Sequence, residues 1–91
     1  MFGLFNRKPT IHISLAESAA TTMATNIENI PIEKVIQHAP EILRSTLQSL
    51  GITEELRDQE YREICQLACQ IKLDGGQRNM DTVRSMLKSF T

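Results

Sequence analysis

Between Pro31 and Gly51 the apolar residues Ile32, Val35, Ile36, Ala39, Ile42, Leu43, Leu47 and Leu50 recur at steps of three and four, the period of one helix face. Pro31 suits the first helical position, where its missing amide would be unpaired anyway. Gly51 followed by Ile52 suits a Schellman stop, with a left-handed glycine and an apolar residue folding back on the last turn. Pro40 interrupts the pattern and forgoes one backbone hydrogen bond, so a kink or split is expected near His38 and Ala39.

Three further segments carry the same rhythm. Ser14-Leu15-Ala16-Glu17 has the form of a capping box, and Leu15, Ala19, Met23, Ile27 and Ile30 follow it as a narrow stripe. Thr53, with Glu54 and Glu55 after it, is the expected start of a helix carrying Leu56, Tyr61, Ile64, Cys65, Leu67, Ala68 and Ile71. Its first half, Glu54 to Glu63, is almost wholly charged, which places burial in the second half. After Asp74-Gly75-Gly76, either Asn79 or Asp81 can cap a last helix with Met80, Val83, Met86, Leu87 and Phe90 on one face and Arg84 and Lys88 on the other.

The pattern predicts an all-α fold: a small four-helix antiparallel bundle with helices over 14–29, 32–50, 54–73 and 80–90, the second and third forming its central pair. The short connections suit antiparallel neighbours. Residues 1–13 are expected as an extended lead-in or strap, and 14–91 as one helical domain. An α+β alternative would put residues 10–14 in a strand, but no second alternating run offers a pairing partner.

Composition supports the helical reading and changes one expectation about assembly. The chain has 91 residues, 41% apolar, with three Phe, one Tyr and no Trp. A domain this small buries only about 60 to 65% of its unfolded surface, so self-association is a natural supplement. Net charge is −1, which gives no overall footprint for a phosphate backbone. Charge is nonetheless uneven: residues 53–74 hold three basic and six acidic side chains, residues 75–91 three basic and one acidic.

Candidate chemistry is sparse. Cys65 and Cys69 share a helix face, and His12 or His38 could complete a metal site, but structural zinc prefers four clustered ligands, and buried core cysteines account for the pair. No metal and no cofactor are therefore expected. His38 has no nucleophile at a recognisable spacing, and no enzyme motif is present. Free cysteines point to a reducing, cytoplasmic setting, and the order of Met1 to Pro9, apolar before charged, is wrong for a secretory leader. No run approaches the roughly 20 apolar residues of a membrane span.

These features point to a small non-enzymatic protein-binding module of inhibitor, adaptor or chaperone type, a size also common among inhibitors carried by phage and other mobile elements, acting through apolar helix faces and forming a homo-oligomer. The residues expected to bind are Leu43, Leu47, Met80, Val83, Leu87 and Phe90, with Arg78, Arg84 and Lys88 as polar contacts; Phe2, Leu4 and Phe5 would join the interface. One alternative is a helix-turn-helix DNA-binding regulator using residues 78–90, although Asp74 to Asn79 is longer than the motif's turn and the preceding helix is acidic. Another is capture of a small anion by Arg78 beside the double glycine.

Overall fold

A computed structural model describes residues 10–90 of the chain. Among these residues there are four α-helices and no strand: α1 (Ile13–Asn26), α2 (Ile32–Ser49), α3 (Asp58–Leu73) and α4 (Met80–Met86), with a 3₁₀ turn at Lys88–Phe90. Phe2, Leu4 and Phe5 lie outside the described residues.

Contacts along the helices give an up-down-up-down order. Thr10 meets Glu60 at the start of α3, and the Glu28 carbonyl beyond α1 meets Lys72 near its end, so α1 and α3 run the same way. Arg44 lies over Tyr61 and Cys65 reaches the Ala39 carbonyl, which sets α2 opposite to α3. α4 then turns back, bringing Ser89 to Glu63.

The most extensive packing is between α1 and α3, and α3 touches every other helix. This corrects the expected central pairing of α2 with α3. The reason lies in side-chain size. The buried face of α1 is Ala16, Ala19, Ala20, Met23 and Ala24, and small residues let two helices approach closely. Leu15, expected on that stripe, is instead exposed.

The helix boundaries show which local signals prevailed. α2 runs unbroken through Pro40, an exposed residue, so the expected split does not occur; Pro31 is its N-cap rather than its first residue. Gly51 has φ of 75°, its amide donates to the Gln48 carbonyl at 3.0 Å, and the Ile52 amide donates to Leu47 at 2.9 Å, the expected Schellman pair. The Ser14–Glu17 capping box does not form. His12 takes the N-cap instead, its Nδ1 accepting from the Ser14 amide at 3.1 Å, while Glu17 turns to Arg78.

The start of α3 moves four residues beyond the expected Glu54. Ile52 and Leu56 both enter the core from the non-helical connection that precedes α3, whose N-cap is Arg57. Asn79 caps α4 by accepting from the Thr82 amide at 2.8 Å, and α4 ends early in the 3₁₀ turn that buries Phe90.

Candidate functional site

An open groove runs along α3 between α2 and the tip of α4. Its floor is Asp58, Arg62, Cys65, Gln66, Cys69, Gln70 and Leu73; Ile32, Ile36, Ala39, Pro40 and Arg44 form the α2 wall; and Met86 closes the far side. The groove has a volume of about 760 Å³, more than one side chain fills. One end is apolar, where Ile36 and Leu73 are 66% and 65% exposed. The other end is polar: the Arg44 guanidinium sits 5.8 Å from the centre of the Tyr61 ring, and the Tyr61 hydroxyl donates to Glu55 Oε1 at 3.1 Å. Burial and the Glu55 carboxylate together raise the Tyr61 pKa.

Both cysteines line this groove as free thiols. Burial, reinforced by Cys69, pushes Cys65 up to about 11, and burial also raises Cys69 against the pull of Lys72. Thiols so disposed are poor nucleophiles at neutral pH. No cluster of three or more metal-ligating side chains occurs among the described residues. His38 is exposed and lies 3.9 Å from Glu41.

The residues expected to bind from sequence fall into two groups. Leu43, Leu47, Val83, Leu87 and Phe90 belong to the protein's own core and offer no surface while the domain is folded. Met80, Arg78, Arg84 and Lys88 are exposed in the last third of the chain. Arg78 Nη1 pairs with Glu17 Oε1 at 2.7 Å, so the cation beside the double glycine already faces a carboxylate. α4 is seven residues long, and Arg84 and Lys88 stand on either side of its end. The groove residues Ile36 and Leu73 were not singled out as binding residues in the sequence. Leu73 lies just before the helix stop, and Ile36 is one member of an eight-residue apolar stripe that is too wide to be buried whole.

The other feature missed in the sequence is a pair of buried carboxylates. Glu60 is 0% exposed and Glu63 2% exposed, both in the charged half of α3. Glu60 accepts four hydrogen bonds: from the Thr10 amide at 2.9 Å, the Thr10 hydroxyl at 2.7 Å, the Arg57 amide at 2.8 Å and Arg57 Nη2 at 3.0 Å. Burial alone would raise its pKa, but the Arg57 and Thr10 donors outweigh burial and bring it down to about 2. Glu63 accepts from Gln59 at 2.7 Å, from the Ser89 amide at 2.9 Å and from the Ser89 hydroxyl, with Lys88 close enough to add attraction. Here too the donors overcome burial and lower the pKa. The sequence did hold a signal for them: Glu60 and Glu63 occupy the stripe positions between Leu56 and Ile64.

Among the described residues, the fold and the groove define a small all-α four-helix domain with a surface cleft that is apolar at one end. Compared with known proteins, the chain matches no family model, no curated protein and no solved structure.

Proposed function

We propose that this protein is a non-enzymatic binding module whose groove seats an apolar helical segment of a partner protein. The exposure of Ile36 and Leu73 at one end of an open cleft carries this reading. Covering a large aliphatic side chain is worth about 1.5 to 3 kcal/mol, and a groove between helices is a common seat for an amphipathic helix read through anchors at i, i+3, i+4 and i+7. The polar end, with Arg44, Asp58 and Arg62, would set the direction of the bound segment through charge.

A second copy of the chain is the simplest partner to test. A photo-crosslinking residue at position 36, introduced in the source cell, should give a discrete adduct that Leu73→Glu abolishes while helicity is retained. An adduct of twice the chain mass identifies self-association; any other discrete mass identifies a different protein. The same products from a crosslinker at exposed Ser18 on α1 would refute the groove as the binding surface. The DNA-binding alternative separates cleanly, because duplex affinity would fall steeply with salt and vanish when Arg84 and Lys88 are neutralised. The anion alternative calls for thermal stabilisation by inorganic phosphate that depends on Arg78.

A further inference from the structure

The two ends of the described chain converge on the first two turns of α3. Thr10 is held by Glu60 through its amide and hydroxyl, and Ser89 is held by Glu63 through the same two groups. Arg57 joins the two holds, since its Nη2 donates to Glu60 at 3.0 Å and reaches the Ser89 carbonyl at 3.5 Å. We propose that the lead-in at Thr10 and the turn at Ser89 dock as one coupled latch through Arg57, and that the latch fixes the α4 wall of the groove.

The physical reason is that neither hold is independent of the other. When Ser89 leaves, Glu63 loses two of its three donors and Arg57 loses a carbonyl. A buried carboxylate short of donors is costly, so the site must open to water. Arg57 is then released from one side, which weakens its grip on Glu60 and hence on Thr10. Polar networks in a low-dielectric interior behave in this cooperative way. Met86, the α4 residue in the groove, lies three positions before Ser89, so its place depends on the state of the turn. A partner pressing on Met86 would thereby be linked to the docking of Thr10 on the other side of α3.

Native-state hydrogen exchange on the full chain tests this coupling. Thr10→Val removes one donor to Glu60 without changing shape, and should speed exchange of the Ser89 amide by roughly tenfold. Ser89→Ala should do the same to the Thr10 amide. The Asp74 amide, at the far end of α3, should not move with them. In an Arg57→Gln background the effect of Thr10→Val on Ser89 should disappear. The Met86 methyl resonance should shift on either single change when Arg57 is present. Unchanged Ser89 exchange in Thr10→Val overturns the proposal, as does a Ser89 amide that in wild type exchanges no faster than the buried Leu67 amide, since it would then open only with the whole domain. Persistence of the effect without Arg57 overturns the route through the guanidinium.

Discussion

Replacing Glu60 by Gln keeps the shape of the side chain and removes its charge, and the surrounding donors determine the cost. One carboxylate oxygen takes the Thr10 hydroxyl and the Arg57 amide, the other the Thr10 amide and Arg57 Nη2. With the amide nitrogen toward the Thr10 amide and Arg57 Nη2, two of the four bonds are lost; turned the other way it faces the Arg57 amide and the Thr10 hydroxyl, which can rotate and accept, so one is lost, and either way the guanidinium loses its counter-charge. Arg57 is one-third exposed, so water screens part of the loss, and the cost falls below that of breaking a fully buried pair, at about 2 to 3 kcal/mol. In a domain of this size, where 1 kcal/mol moves Tm by about 4 to 8 °C, even the lower figure predicts a fall of about 8 °C or more at pH 7.

The pH dependence supplies a second and independent reading. The Glu60 carboxyl is near 2 when folded and 4.5 ordinarily, which at about 1.4 kcal/mol per pH unit ties about 3 kcal/mol of stability to its ionisation. Because the folded value is the lower one, that stability is fully present above pH 4.5 and is lost as pH falls from there toward 2. Urea unfolding followed by far-UV circular dichroism at pH 7, 5 and 3 should show wild type weakening steeply below pH 5. Glu60→Gln should show a shallower decline, with a residual slope from Glu63, whose pKa is also lowered. A variant within about 2 °C of wild type at pH 7, with the same acid profile, would refute the reasoning.

Leu43→Ala, at a fully buried position, should cost about 2 to 5 kcal/mol in urea unfolding, whereas Ile36→Ala, on the same helix but exposed, should cost less than about 0.5; equal costs would contradict the assignment of core and groove. Gly51→Ala forces a side chain into positive φ at the end of α2 and should lose about 1 kcal/mol although nothing crowds the new methyl; an unchanged urea midpoint would refute this. Cys65 should react with iodoacetamide at pH 7.5 far more slowly than a free thiol and reach the ordinary rate only in denaturant; fast labelling of the folded chain would contradict the raised pKa of this half-buried thiol.

Much of the fold was legible because the strongest local signals agreed with the packing. The stripe from Ile32, the stop at Gly51-Ile52 and the Asn79 cap all operate within one or two turns, and they appear where the residues require them. The failures occur where a distant partner competed. Glu17 could complete a capping box or pair with Arg78, sixty-one positions on, and the charge pair prevailed. Glu54 and Glu55 favoured an early start for α3, but Ile52 and Leu56 enter the core from a connection that stays non-helical up to the N-cap at Arg57. Glu60 and Glu63 read as solvated because charge usually marks a surface, and it takes Arg57 and Thr10 around Glu60, and Gln59 and Ser89 around Glu63, to make burial tolerable. The groove was illegible for a related reason: a stripe of eight apolar residues shows that a helix is packed, but not which of the eight the neighbouring helices leave uncovered.

The two buried carboxylates also bear on the order in which the chain folds. The bonds from Thr10 to Glu60 span 50 positions and those from Ser89 to Glu63 span 26, whereas the helix stops and caps close within five. Local contacts form before long loops close, and a carboxylate gains nothing from leaving water until its donors have arrived. Docking of Thr10 and Ser89 therefore belongs after the main barrier. Weakening Thr10 or Ser89 should accelerate unfolding and leave the refolding rate nearly unchanged, the behaviour of contacts absent from the transition state. Lifetime of the folded molecule, rather than speed of reaching it, is what Glu60 and Glu63 govern.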